Sequence, residues 1–204
     1  MGFFSPTVSI TRYLVKGKLT GNVTDIIIKN LKNKLIPDID RSSQERAAGW
    51  TSFENPFLPD FDAHPPVMGS YVVFSLRIDK KNIPDKIIKK YVLFEINKKL
   101  KETGREFLTN NEKKILKDSI KNKLCLSIPA TPYIYDVVWN YESSTIFFFS
   151  NTKNSNEEFE ALFGKTFNLS LIRLFPYTIA DLTSNLTDQE KDVLNKLGPT
   201  TFTG

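Results

Sequence analysis

Positively charged side chains are concentrated in one stretch of the chain. Residues 77–123, the basic segment, contain 15 lysines and arginines but only 7 aspartates and glutamates, a net charge of +8, whereas the remainder carries −3. Such a distribution is typical of proteins that bind polyanions, because a field of one sign attracts the opposite charge. A single lysine is more often part of a solvated helix face, but the acids here do not neutralise the segment as a whole. The basic segment therefore predicts a polyanion-binding surface.

Two groups of acidic residues could support a different chemistry, metal-dependent phosphodiester hydrolysis. Asp38 and Asp40 form one group, and Asp60 and Asp62, followed by His64, form the other. Carboxylates from two such groups can hold two metal ions across a phosphodiester. The second group lies in a proline-rich stretch, however, where aspartates usually form turns. Because no complete catalytic motif accompanies these residues, hydrolysis is the alternative interpretation.

The single cysteine and the single histidine restrict the remaining chemistry. Cys125 and His64 could form a nucleophile–base pair, but Cys125 ends an apolar stripe, where a buried and inert cysteine is the usual case. One cysteine excludes an internal disulfide and fits a reducing compartment, and one histidine excludes a multi-histidine metal site within one chain. Gly17 and Gly21 fit no phosphate-binding glycine loop. We therefore expect no metal and no cofactor.

The composition is that of an ordinary globular protein. The chain has 204 residues, of which 40% are hydrophobic, 12% aromatic and 25% charged, which excludes a disordered or collagen-like chain. No apolar run approaches the roughly 20 residues that cross a bilayer. The first residues lack the basic region and long apolar core of a secretory signal. We expect a soluble, cytoplasmic protein.

Hydrophobic periodicity and turn residues predict the elements that position the basic segment. Helices are expected over 23–35, with Thr24 as a cap, over 155–167 and over 188–197, with Thr187 and Glu190 as a capping box. Residues 54–69 are expected to form a loop. Strands are expected over 3–15, 47–53, 70–78, 133–140, 145–150 and 169–175.

A pair of helices joined by a short connection is predicted inside the basic segment. Pro84 suits a first helical turn, Gly104 a C-terminal stop, and Thr109 with Glu112 a capping box. We expect the apolar stripes of the two helices to pack together and to leave the lysines outward. The stripes are Ile87, Ile88, Tyr91, Val92, Ile96 and Leu100 in the first helix, and Ile115, Leu116, Ile120 and Leu124 in the second.

The order of elements predicts an α+β fold, with antiparallel or mixed sheets, flanking helices and a protruding basic αα-hairpin over residues 84–124. Residues 1–180 are expected to form one domain, followed by a tail, 181–204, with a short helix. Trp50 beside Gly49 predicts packing with a close backbone approach. Several aromatics could stack on unpaired bases, although their periodicity favours core strands: Tyr133, Tyr135, Trp139, Phe147, Phe148 and Phe149.

The order and spacing of several short blocks resemble the RdgC family of recombination-associated proteins. The blocks are the opening MGFF with Arg12-Tyr13, the Gly49-Trp50 pair, YVVFSLRID, Ile83-Pro84 before a lysine-rich helical hairpin with NNEKKILKDSIKNKL, Ile128-Pro129, DVVWN, and a helix ending FGKTFNLSLIRLFPYT. They cover residues 2–180. None of them is a catalytic motif, so it is their order that carries the resemblance.

The resemblance implies a non-sequence-specific DNA-binding protein of the bacterial cytoplasm, associated with the nucleoid, that restrains the recombinase. It implies a dimer around duplex DNA, and helical projections of family members also meet across the dimer. Single-stranded DNA is a further candidate partner, which the resemblance does not decide. Longer members have a further C-terminal region, and we expect this chain to be a short form without it. A metal-dependent exonuclease and a protein-assembly module are the alternatives.

Lysine and arginine side chains of the basic segment are the predicted phosphate contacts, because they neutralise the backbone without reading bases. We expect only some of them to face the DNA. They are Lys86, Lys89, Lys90, Lys98, Lys99, Lys101, Arg105, Lys113, Lys114, Lys117 and Lys121, followed by Arg77, Lys80 and Lys81.

Overall fold

The computed structural model describes residues 5–184 and 186–198, and in this part of the chain a sheet is flanked by helices. The strands are β1 (Thr11–Lys16), β2 (Arg46–Ser52), β3 (Val67–Met68), β4 (Tyr71–Lys80), β5 (Thr131–Asn140), β6 (Thr145–Phe148) and β7 (Ser170–Arg173). The helices are α1 (Val23–Lys32), α2 (Asp85–Thr103), α3 (Asn110–Ser127), α4 (Lys153–Phe167), α5 (Pro176–Thr183) and α6 (Asp188–Lys196). This confirms the α+β class.

The strands pair in the order β2-β4-β5-β6-β1-β7, and β3 pairs with β4 beside this path. β1 runs antiparallel to β6 and to β7, with Tyr13 opposite Ile146 on one side and Arg173 on the other. β5 and β6 form the predicted antiparallel hairpin, in which Trp139 also lies opposite Ile146. This register brings Tyr13 and Trp139 to the two sides of one residue of β6.

The chain divides into two compact units. The first contains the described parts of Met1–Asn30, Pro65–Phe74 and Tyr135–Gly204, and the second contains Leu31–His64 and Ser75–Ile134. The whole basic segment therefore belongs to the second unit. No helix among the described residues is both long enough and apolar enough to cross a membrane.

Aromatic side chains form the core of the first unit. Phe159, Phe163 and Phe167 are spaced four apart on α4, so they lie on one face of the helix, and all three are buried. The ring of Phe159 stacks on Phe148 at 4.4 Å, and Trp139 meets both Phe163 and Phe167 edge-on at 5.2 Å. The periodicity of 155–167 thus predicted the helix and its buried face.

A buried polar contact lies at the edge of this aromatic core. The single proton of the Tyr13 hydroxyl is shared between Asn156 Oδ1 at 2.5 Å and Glu160 Oε1 at 2.9 Å. Arg173 Nε donates to the same Glu160 oxygen at 2.5 Å. Burial, followed by the hydrogen bond to Glu160, raises the pKa of Tyr13 far above its ordinary value. The phenol therefore stays protonated and links β1 to α4.

Trp50 and Gly49 of β2 form a close backbone approach in the second unit. The Ile36 N–H donates to the Trp50 carbonyl at 3.0 Å, and the Trp50 N–H donates to the Lys34 carbonyl at 2.8 Å. A Cβ at Gly49 would lie 2.4 Å from the backbone of Ile36, so only glycine fits. Trp50 is fully buried. Both predictions for this pair, packing and close approach, are confirmed.

Three predictions at the start of the chain are wrong in detail. β1 begins at Thr11, because residues 5–10 form no strand; residues 3 and 4 lie outside the described residues. α1 ends at Lys32, since Leu35 forms a bridge with Trp50 instead of continuing the helix. Thr24 is not the cap: it lies inside the first turn, and its hydroxyl donates to Asn22 Oδ1.

Further elements differ later in the chain. The short β3 lies within the predicted loop 54–69, and α5 was not predicted at all. Pro176 at the first helical position, where its missing N–H costs nothing, was the available signal for α5. The capping box of α6 is confirmed, with Glu190 donating its N–H to the Thr187 hydroxyl and accepting from the Thr187 N–H.

Candidate nucleic-acid interface

Helices α2 and α3, with the link 104–109, form the helical hairpin that carries most of the basic segment. Pro84 precedes α2 as its cap residue, and Gly104 ends it with φ at +64°, a conformation that favours glycine. At the start of α3, Glu112 Oε2 accepts the Thr109 N–H at 2.7 Å, while the Thr109 hydroxyl accepts the Glu112 N–H. The predicted stop and capping box are confirmed, with Pro84 one position before the helix.

The two helices pack antiparallel along two adjacent grooves. The first groove, about 540 Å³, joins Tyr91 near the start of α2 to Ser127 at the end of α3. The second, about 360 Å³, joins Glu102 near the end of α2 to Ile115 near the start of α3. Early residues of one helix thus face late residues of the other.

The apolar stripes of the hairpin are buried only in part. Ile88 on α2 and Leu116 and Ile120 on α3 are buried, but Tyr91 is 45% exposed and Ile115 is 60% exposed. The prediction that the stripes pack together is therefore confirmed only in part. These large apolar side chains of the hairpin lie at the surface: Ile87, Tyr91, Leu93, Phe94, Phe107, Ile115 and Leu126.

Lys81 lies outside any surface that could meet a phosphate. Its side chain is buried, and Nζ donates to the carbonyl oxygens of Asp40 at 2.9 Å, Ser42 at 2.8 Å and Cys125 at 2.6 Å. The ammonium group thus uses all three of its donors on backbone carbonyls. It ties the last turn of α3 to the segment 40–42 and has no proton left for DNA.

Arg77 and Lys80 of β4 also have partners within the second unit. The guanidinium of Arg77 donates to both oxygens of the buried Asp79 carboxylate at 2.7 Å and to the Pro56 carbonyl. Lys80 is half-buried, with Nζ 5.3 Å from the ring centre of Tyr133. Desolvating the Asp79 carboxylate without Arg77 would be costly, so this arginine has a structural role.

Arg105 and Lys121 form ion pairs. Arg105 binds both carboxylate oxygens of Glu112, and Lys121 Nζ lies 2.6 Å from Glu45 Oε1. The hydrogen bond to Glu45 raises the pKa of Lys121. The Arg105 side chain, followed by hydrogen bonds from Thr109, lowers the pKa of Glu112 to about 2. A carboxylate therefore offsets part of the charge that each of these two cations would offer to a phosphate.

The other predicted contacts are exposed and, within the described part of the chain, none of them forms an ion pair. On α2, Lys86, Lys90, Phe94 and Lys98 are spaced four residues apart, and Lys101 follows on the same side, so they form one row along the helix. This α2 row is cationic with an aromatic ring at its centre. The exposed contacts are Lys86, Lys89, Lys90, Lys98, Lys99, Lys101, Lys113, Lys114 and Lys117.

Lys123 was missing from the predicted contacts. It is exposed and lines both grooves, opposite Lys98, which also lines both. Its position three residues after Ile120 and one before Leu124 placed it beside the apolar stripe, and that spacing was the available signal. Lys98 and Lys123 extend the α2 row across the groove to α3.

The first groove has aromatic walls. Tyr91 and Phe94 lie edge to face, with ring centres 6.4 Å apart at 86°, and Lys90 Nζ is 5.8 Å from both centres. Glu95 is the one carboxylate among the described residues that line this groove. The combination of apolar walls and excess positive charge suits a ligand that is anionic but has an apolar face.

The acidic residues considered for hydrolysis take part in a turn, an ion pair and a long-range backbone hydrogen bond. Asp60 Oδ1 accepts the N–H groups of Asp62 and Ala63, and these two bonds lower the pKa of Asp60. Asp62 pairs with Lys32, and Asp40 Oδ1 accepts the Ala130 N–H at 2.8 Å. Across residues 5–184 and 186–198, no three histidine, cysteine, aspartate or glutamate side chains lie close enough together to hold a metal ion.

Cys125 and His64 do not form a pair among the described contacts. Cys125 is fully buried, while the Nδ1 atom of His64 lies 2.7 Å from the Glu54 carboxylate. The expected buried cysteine is confirmed.

Most aromatics considered for base stacking belong to the core. Trp139, Phe148 and Phe149 are buried, and Tyr135 and Phe147 are half-buried, which confirms the core interpretation for these residues. Tyr133 is the exception, with 44% of its surface exposed.

No protein-family model matches the chain, and no curated protein matches it. The resemblance to the RdgC family therefore stays a prediction from the sequence.

Proposed function

We propose that this protein binds duplex DNA without sequence preference, through the phosphates, with the helical hairpin as its contact surface. The observation that carries the proposal is the set of exposed hairpin lysines that form no ion pair with a carboxylate of the described residues. Lysines on a helix can reach successive phosphates and release condensed counterions, which supplies affinity but reads no bases. The α2 row and Lys123 are the central contacts.

The biological setting of this proposal follows from the resemblance to the RdgC family alone. It comprises a homodimer, association with the nucleoid in the cytoplasm, and restraint of the recombinase. The charge distribution supports the DNA-binding step that all of these would require.

A salt series on neutralised variants tests the proposal. Replacing Lys86, Lys90 and Lys98 by glutamine removes three charges of the α2 row. Each lost phosphate contact lowers the slope of log K against log salt by about 0.9, so we expect a slope smaller by about 2–3 and an affinity weaker on the order of a hundredfold near 0.1 M salt. Fluorescence anisotropy with labelled duplexes of several unrelated sequences measures both quantities, and the loss should be equal for all of them.

A matched variant separates the hairpin from net charge. Lys16, Lys29 and Lys165 are exposed, lie in the first unit, and form no ion pair within the described residues. Replacing these three by glutamine changes the net charge equally and should leave the slope within experimental error. An unchanged slope in the hairpin variant, or an equal loss in both variants, would show that the hairpin is not the DNA surface.

A further inference from the structure

Two aromatic rings stand exposed on α2 among lysines that form no ion pair with any described residue. Phe94 is 58% exposed and Tyr91 45%, whereas the aromatic rings that pack on α4 in the first unit are all buried or half-buried. Surface aromatics grouped with other apolar side chains mark a contact site, because leaving them in water is unfavourable. Leu93, next to Phe94, is exposed as well. The hairpin therefore presents an apolar surface that the described residues do not cover.

The charge around these rings indicates the chemistry of the occupant. Lys90 lies over both rings, and Lys98 and Lys123 line the same groove, opposed by the single carboxylate of Glu95 among the described lining residues. A neutral apolar segment would leave these ammonium groups uncompensated. An occupant with regularly spaced negative charge and flat apolar faces satisfies both the lysines and the rings.

We propose that the groove between α2 and α3 binds unpaired bases of a single-stranded nucleic acid, with Tyr91 and Phe94 stacking on the bases and Lys90, Lys98 and Lys123 holding the phosphates. This inference rests on the proposed DNA binding and adds a preference to it. The bases of a duplex are stacked on one another and cannot reach the rings, whereas those of a single strand can. Tyr91 and Phe94 are therefore specificity-determining residues, which distinguish single strands or opened ends from intact duplex.

The test uses the full chain with a single-stranded oligonucleotide that contains 2-aminopurine, whose fluorescence falls when it stacks, and with the matched duplex. The variant Tyr91→Leu/Phe94→Leu keeps an apolar surface but removes both aromatic faces. Because one base–ring stack changes affinity by roughly five- to a hundredfold, we expect single-strand binding to weaken at least tenfold and the fluorescence change to be lost. Duplex affinity at the same salt should change less than twofold.

Tyr133→Leu is the matched control. Tyr133 has nearly the same exposure as Tyr91 and also has a lysine over its ring, but it lies on β5 and outside the groove. This variant should retain single-strand binding and the fluorescence change. Equal losses in the control and the groove variant would overturn the proposal, because any exposed aromatic would then serve.

Two further results would also overturn it. If the wild type binds the duplex but leaves 2-aminopurine fluorescence unchanged, the stacking site is wrong while the proposed function stands. If the affinities for single strand and duplex do not change with salt concentration, the proposed function itself is wrong. If Tyr91→Glu/Phe94→Glu reduces the mass measured by sedimentation while Tyr91→Leu/Phe94→Leu leaves single-strand binding intact, the groove joins copies of this chain.

Discussion

The aromatic core on α4 and the helical hairpin use similar sequence patterns with opposite results. On α4, Phe159, Phe163 and Phe167 follow a four-residue spacing, and every ring is buried. On α2, Tyr91 and Phe94 also follow a helical spacing, yet both are exposed. Periodicity thus identifies a helix face, but only the tertiary partners decide whether that face forms a core or a binding surface.

The largest expected effect tests this difference in burial directly. Phe159→Ala removes a ring that contacts Phe148, Tyr13 and Phe163 in the first unit, so we expect a loss of about 3–5 kcal/mol in the free energy of unfolding. Phe94→Ala removes an exposed ring and should change it by no more than about 0.5 kcal/mol. Urea unfolding followed by circular dichroism measures both. Equal losses would show that Phe94 is covered in solution.

Lysines, like aromatic residues, occur both buried and exposed in this protein, and the two kinds should respond differently to substitution. Lys81→Met leaves three carbonyl acceptors without their donor, so we expect a loss of about 2–3 kcal/mol of stability. Lys86→Met, at an exposed position of the α2 row, should stay within about 0.5 kcal/mol. For DNA binding the larger effect belongs to the other variant. Lys86→Met should lower the slope of log K against log salt, and Lys81→Met should not. If Lys81→Met unfolds like the wild type, its three hydrogen bonds contribute nothing.

The sequence was sufficient where local interactions decide the structure. The Thr109–Glu112 capping box and the Gly104 stop need only residues a few positions apart, and both were predicted correctly. The role of Lys81 could not be predicted, because its three acceptors come from residues 39 to 44 positions away along the chain. The fold alone brings those segments together. The same holds for the pairing of Lys121 with Glu45, which are 76 positions apart along the chain.

The positions of the exposed lysines could be predicted only in part, because helical spacing is local but the packing of two helices is not. The four-residue spacing of Lys86, Lys90 and Lys98 is local and already defines one side of α2. That Lys123 faces this row across a groove depends on how α2 and α3 pack. The exposure of Tyr91 depends on the absence, among the described residues, of a partner that covers it.

The smallest expected effect concerns pH and compares the two capping boxes. Arg105, followed by Thr109, lowers the pKa of Glu112 to about 2, below its ordinary value of 4.5. Ionised Glu112 therefore stabilises the fold above about pH 5, and this contribution is lost as the pH falls from 5 toward 2. Glu112→Gln should make the melting temperature depend less on pH between pH 2 and 5, and should leave its pH dependence above pH 5 unchanged.

Glu190→Gln in α6 is the matched control, and its comparison with Glu112→Gln isolates the arginine. Glu190 makes the same backbone and hydroxyl contacts with Thr187, which lower its pKa, but no arginine contributes to that shift. Because the hydrogen bond to Arg105 is the largest cause at Glu112, the flattening should be greater for Glu112→Gln. Melting curves of both variants at intervals between pH 2 and 7 measure the difference. Equal flattening would mean that the Thr109 contacts alone hold the carboxylate, and that Arg105 is free to meet a phosphate after all.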